Sequence, residues 1–325
     1  MPIDYRQEAP QLLLDFLSYH ETIKAHSQRT VDEYFLDLRN FFRYLKQTRD
    51  PALRDVPMDQ VSIRDVDRDL IASVTLTDIY GYMTYLSRDR VLHQNSQRSE
   101  KGLNAASRAR KLATIRSFYG YLCNKVHVLE ENPVKDMDSP KLKKTLPRYL
   151  TLEESMVLLD SVDGPNRERD YCILTLFLNC GLRVSELVGL NLTDFQRDTV
   201  RVTGKGDKDR VVYFSVRARL MVQEYIVQRK GGDGLFVSSK SPYEPLKPRA
   251  IQRIIRAISE RAGLEKHVHP HLLRHTFATH ALNGGMDVTV IQKLLGHEDV
   301  STTQIYAEMS DETIKHQYNK YVAAN

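Results

Sequence analysis

The sequence predicts a mainly α-helical protein of two domains, with one small β-sheet in the C-terminal domain. Three observations carry that prediction. A chain of 325 residues is long for one average domain and comfortable for two. Apolar residues recur every three to four positions in both halves, whereas β-type runs occur at one place only. Between the halves, residues 132–150 hold three prolines and the basic run Lys141, Lys143, Lys144 and Arg148, which prevents a continuous helix and keeps the segment solvated or on a phosphate backbone.

Val31, Tyr34, Phe35, Leu38, Phe41, Phe42 and Leu45 outline the buried face of one helix. Leu12 to Leu17 lies in a helix before it, and Ile79 to Leu86 suggests a third. Asn104 can cap a fourth, with Leu112, Ile115, Tyr119 and Leu122 on one side. These four helices enclose a small core by about residue 130, with 50–76 as connecting structure. The reading is a helical domain over 1–135, a basic linker over 136–150 and a second domain over 151–325. Thr151 with Glu154 forms a capping box at the start of the last. Thr199–Thr203 and Arg210–Ser215 are β-rich runs joined by the polar, glycine-bearing Gly204-Lys-Gly-Asp-Lys-Asp209, which suits a hairpin. Helices follow at about 248–262, 271–283, 287–295 and 311–322, with Gly284 and Gly296 as C-terminal stops.

Composition narrows the function classes. The net charge of +5 is a weak average. Residues 1–100 carry 13 basic and 16 acidic side chains, residues 101–150 carry 11 and 4, and residues 151–325 carry 23 and 22. A basic block in a near-neutral chain suggests a polyanionic partner, nucleic acid first. No stretch approaches the roughly 20 apolar residues of a membrane helix. The opening Met1-Pro-Ile-Asp-Tyr-Arg lacks a signal-peptide pattern, and three cysteines without metal spacing point to reduced thiols in the cytoplasm. No Cys-x-x-Cys pair, Walker-type loop or Gly-x-Gly-x-x-Gly run is present, and no cofactor is expected.

Four local patterns carry the chemistry. Arg183 follows a glycine that ends the apolar helix Tyr171–Cys180, and Glu186 stands three residues on. Lys205 sits between glycines in the hairpin turn. His271 and Arg274, three apart, project from one helix face. His297 and Tyr306 follow another glycine stop. Each has an ordinary structural reading: a helix ion pair, a solvated turn lysine, a half-buried tyrosine. His271 and His275 have the spacing of a zinc site on a helix. Leu272, standing where a His-Glu-x-x-His enzyme has its glutamate, disfavours that reading.

In order, Arg183, Lys205, His271-x-x-Arg274, His297 and Tyr306 resemble the active site of the tyrosine recombinases (the phage integrase-like family), and within it the short Xer-type site-specific recombinases. The motifs run from about Leu182 to Tyr306. The resemblance implies a helical, SAM-like core-binding domain and a catalytic domain forming a C-shaped DNA clamp. It also implies a metal-free, ATP-free exchange of DNA strands. The residues support that chemistry directly. A phosphodiester attacked by a hydroxyl gains negative charge on its non-bridging oxygens, and two guanidiniums, Arg183 and Arg274, can brace it by forked hydrogen bonds. By resemblance Tyr306 is the nucleophile, giving a 3′-phosphotyrosyl strand and a 5′-hydroxyl. Lys205 is the candidate acid for the leaving alkoxide, with Lys208 its nearby competitor. His271 would accept the tyrosine proton and His297 bind the phosphate, although the sequence leaves the division between the two histidines open. Glu186 fits the family's acidic position, where it would orient Arg183.

Arg249, Gln252, Arg253 and Arg256 fall on one side of the helix after Pro248, opposite Ile251, Ile254, Ile255 and Ile258. That stripe has the side chains that reach guanine and adenine edges; its ordinary reading is a solvated face. Arg110, Lys111, Lys141, Lys143 and Lys144 are the candidates for phosphate contact, which fixes position but not sequence. The partners expected are double-stranded DNA and a homo-tetramer on two sites, with a paralogue supplying half of it as the alternative, in a nucleoid-associated cytoplasmic protein. The competing functions are a type IB topoisomerase-like relaxase and a non-catalytic DNA-binding regulator.

Overall fold

A computed structural model describes residues 4–92, 100–141, 149–196, 199–203 and 209–296. The chain divides into two compact units, Met1–Lys144 and Thr145–Asn325. Among the described residues no helix is long and apolar enough to cross a membrane.

The first unit is a helical cluster. α1 (Gln11–Ser18) runs into a π turn at Tyr19–Ile23, and α2 (Gln28–Arg49) is capped by the Ser27 hydroxyl, which accepts the Thr30 N–H. α3 (Arg68–Ala72) and α4 (Leu76–Arg88) follow, α4 opened by a Thr75–Asp78 capping box. A two-residue pair, β1 (Val91–Leu92) and β2 (Glu100–Lys101), leads to α5 (Ala105–Asn124), where the Asn104 side chain accepts the Ser107 N–H at 2.8 Å. Phe16, Phe35, Phe41, Phe42, Tyr82, Phe118 and Tyr119 are fully buried together, each worth about 1.5–3 kcal/mol on burial.

Two features depart from the sequence reading. The small β pair was not expected in this unit. The stretch over 50–76 is more than a connection: Ile63, Val66, Ile71 and Val74 join the core, and the Tyr119 hydroxyl donates to the Ile71 carbonyl at 3.0 Å. Residues at the start of the expected linker also lie on this unit. Val134 is buried, and Arg116 donates to the carbonyls of Val134 and Met137.

The second unit packs around one apolar helix. α6 (Leu152–Asp160) begins at the Thr151–Glu154 capping box. α7 (Arg167–Cys180) buries Cys172, Ile173, Leu174, Thr175, Leu176 and Phe177, and α8 (Val184–Val188) follows. β3 (Thr199–Thr203) pairs antiparallel with β4 (Asp209–Tyr213), with Thr199 opposite Tyr213. Val200, Val202, Val212 and the following Phe214 face the core, as strand alternation requires. α9 (Val216–Gln228), α10 (Pro248–Arg261), α11 (Pro270–Asn283) and α12 (Val288–Leu295) complete the unit, with α9 and α11 packed on α7. α9 was not anticipated: Ser215, read as the end of a strand, is instead its N-cap and accepts the Ala218 N–H at 3.1 Å. The linker's last residues belong here, since Leu150 is buried and its N–H donates to the Thr276 hydroxyl at 3.0 Å.

Candidate active site

The site is built where two helices end. α7 stops at Gly181, whose φ of +59° is left-handed; a Cβ there would lie 2.4 Å from the Phe277 ring. Glycine is required on both counts. The chain then turns within two residues, and Arg183 becomes the N-cap of α8. The Glu186 carboxylate reaches back to accept the Arg183 N–H at 2.7 Å and the Arg183 Nη1 at 2.8 Å. α12 stops in the same manner at Gly296, φ +64°, and its carbonyls come to the same place.

Glu186 has a fully buried side chain with three guanidinium partners. Besides Arg183, Arg210 Nη2 donates to Oε2 at 2.7 Å and Arg210 Nε to Oε1 at 3.3 Å. Arg274 Nη1 stands 3.8 Å from Oε2. Burial alone would raise the Glu186 carboxyl. The hydrogen bonds and charge of Arg210, together with the Arg183 N–H and guanidinium, outweigh burial and hold it below the ordinary carboxylate range. It is therefore an ionised orienting group at neutral pH.

The guanidiniums also rest on backbone carbonyls. Arg274 Nη1 donates to Gly181 O at 2.7 Å and its Nη2 to Leu295 O. Arg183 Nη2 donates to Gly296 O at 3.1 Å, and Arg210 Nη1 to Leu294 O. Cations at the negative ends of α7 and α12 are favourably placed. Arg274 is buried, while the Arg183 side chain keeps 26% of its exposure. Among the described residues three positive groups share one carboxylate, a positive balance of the polarity a phosphate needs.

His271 lies one turn before Arg274 on α11. Desolvation, then the positive charges of His269, Arg274 and Arg183, hold its imidazole below the ordinary histidine value. At neutral pH it is uncharged and able to accept a proton. The structure thus brings Arg183, Glu186 and Arg274 together, with His271 in their electrostatic field. Lys205, Lys208, His297 and Tyr306 lie outside the described residues, as do Lys143, Lys144 and the helix expected over 311–322. Among the described residues no three His, Cys, Asp or Glu side chains converge as a metal site would require.

Arg210 is the residue that sequence reading missed. Its signal was present: in β4 it alternates inward with Val212 and Phe214, so a charged residue stood on the core face of a strand.

Residues 148–313 match the phage integrase family, and a tyrosine recombinase XerC of Caldanaerobacter subterraneus subsp. tengcongensis is 42% identical over 318 residues, 96% of this chain and 86% of that one. The chain belongs to the phage integrase family, the tyrosine recombinases. A tyrosine recombinase XerC of Myxococcus xanthus is 35% identical over 322 residues, 95% of this chain and 96% of that one. The fold is shared with XerH site-specific recombinase bound to palindromic difH substrate (TM-score 0.64, 18% identity, 95% of each chain). It is shared also with a lambda integrase dimer bound to a COC′ core site (TM-score 0.63, 18% identity, 90% of this chain and 94% of that one).

In this tyrosine recombinase Arg249, Gln252, Arg253 and Arg256 are all exposed on α10, and Ile251, Ile255 and Ile258 on its other side are buried. Arg256 pairs with Glu260 at 2.8 Å, both exposed. The basic block needs one correction. Lys111 is buried, and its Nζ bonds the Asp37 carboxylate at 2.5 Å inside the first unit; it holds α5 to α2 and is no phosphate contact. Arg110 forks onto the same carboxylate at 2.7 and 3.0 Å and also pairs with Glu33. Lys141 is exposed.

Proposed function

We propose that this tyrosine recombinase acts on a specific double-stranded DNA site, cutting and rejoining strands through a 3′-phosphotyrosyl intermediate on Tyr306. The observation that carries the reading is Glu186, buried and ionised, with Arg183 and Arg274 gathered at one place and, among the described residues, outnumbering it in charge. Those two guanidiniums would brace the non-bridging oxygens of the scissile phosphate as charge develops on them, each such donor being worth about 10²–10³ in rate. His271, uncharged at neutral pH, would take the Tyr306 proton, Lys205 would protonate the leaving 5′-oxygen, and His297 would bind the phosphate. The bond energy stays in the phosphotyrosine, so a 5′-hydroxyl from a second strand can resolve it without a nucleotide cofactor.

The exposed stripe Arg249, Gln252 and Arg253 on α10 would read base edges, while Lys141, Lys143 and Lys144 would grip phosphates in a two-domain clamp. Four copies on two sites, of this chain alone or with a paralogue, would exchange strands. The test uses a nicked duplex carrying a site selected by the protein's own binding from a random DNA pool. Wild type should leave a covalent protein–DNA adduct on a denaturing gel and Tyr306→Phe none; an adduct with the Phe variant removes Tyr306 as nucleophile.

A further inference from the structure

We propose that Arg210 is a positioning residue for strand cleavage: it holds the Glu186 carboxylate and the end of α12 so that Arg183 and Arg274 face the phosphate. The proposal rests on the reading that those two arginines brace the scissile phosphate. Arg210 itself is buried, its side chain 7% exposed. One edge of its guanidinium, Nε and Nη2, forks onto both oxygens of Glu186, and Nη1 turns to Leu294 O. Those donors are directed inward, to Glu186 and to α12, which suits a residue that acts through its neighbours.

Its effect passes through what it holds. Glu186 is the group that bonds Arg183 at both main chain and side chain. Arg210 supplies counter-charge to that carboxylate. Without it, Arg183 and Arg274 would be the remaining described cations at Glu186, and both would be drawn towards it at the expense of a phosphate. Arg210 also ties three elements at one point: β4, which follows the segment containing Lys205, the start of α8, and the end of α12, two residues before His297. Gly296 makes room for it, because a Cβ there would lie 2.8 Å from Arg210 Cδ and 3.9 Å from Arg183 Nη1. Lysine cannot replace it, since a point charge cannot span two carboxylate oxygens and a carbonyl.

The experiment measures single-turnover adduct formation at saturating full-length protein on the selected nicked duplex. It is repeated on the same duplex with a methylphosphonate at the scissile position, which removes one charged oxygen and with it much of the demand for guanidiniums. Arg210→Met and Arg210→Lys should both slow phosphodiester cleavage by about 100-fold while leaving the Kd for DNA unchanged. The defect should shrink on the methylphosphonate, and Arg210→Met should add nothing in a Glu186→Gln background. Equal loss on both substrates means a structural role only and overturns the proposal, as does normal cleavage by Arg210→Lys. Arg183→Ala separates the two readings. If it cleaves normally, the assignment of the phosphate site fails; if it is slow while Arg210→Met is normal, only the present proposal fails.

Discussion

Each unit of this recombinase holds a buried carboxylate ringed by cations, and the two are built differently. In the first, Asp37 on α2 accepts Arg110, Lys111 and the Thr114 hydroxyl, all from α5. In the second, Glu186 gathers Arg183, Arg210 and Arg274 from a helix start, a strand and a separate helix. Around Asp37 a second carboxylate, Glu33, takes part of the Arg110 charge. Around Glu186 other guanidinium donors reach carbonyls at helix ends, and among the described residues three guanidiniums share this one carboxylate. A buried ion cluster whose charges balance within two packed helices fastens those helices. A cluster in which, among the described residues, cations outnumber the carboxylate, assembled across the unit and partly open at Arg183, has the charge and access that the proposed anionic ligand would need.

The largest expected effect breaks the second cluster. Arg274→Lys keeps the charge but cannot bridge Gly181 and Leu295, so single-turnover cleavage should fall by about 10²–10³; cleavage near the wild-type rate would remove Arg274 from the phosphate site. The next acts on the first cluster. Lys111→Met leaves Asp37 short of a partner and should lower unfolding free energy, measured in urea, by about 3–5 kcal/mol. It should leave the salt dependence of DNA binding unchanged, whereas Lys141→Ala should reduce that slope by about one counterion. A smaller slope for Lys111→Met would return that residue to the DNA surface.

The smallest effect concerns a third polar centre, also in the first unit. His20 packs against His26, Nδ1 to Nδ1 at 3.2 Å, and burial, with His26 and Lys24, pushes its imidazole down to about 4. The folded ring resists a proton that the unfolded chain accepts near 6.5. Its contribution to stability is therefore complete above that pH and is lost as pH falls towards about 4. The stability difference between wild type and His20→Gln should shrink across that window; a difference independent of pH would contradict the assignment.

What the sequence made legible was local. Leu112, Ile115, Tyr119 and Leu122 repeat with the helix and are buried as expected, and Gly181, Gly284 and Gly296 end their helices as expected, the first and last in the left-handed conformation. Arg183, Glu186, His271 and Arg274 were legible as a pattern along the chain. Two kinds of information were not. Lys111 looked like surface because its partner, Asp37, is 74 residues away and belongs to another helix. Arg210 was read as part of a β-rich run, and its partners come from α8 and α12. In both cases a charged residue took an inward position because a distant carboxylate met it there, and no local period reports such a partner.

One paired measurement bears most directly on the claim that the two clusters do different work: Asp37→Asn and Glu186→Gln, compared in urea unfolding and in single-turnover cleavage of the selected nicked duplex. Both should lose stability. Asp37→Asn should cleave at the wild-type rate per folded molecule, while Glu186→Gln should be slower by about 100-fold. Equal cleavage rates for the two folded variants would contradict the account.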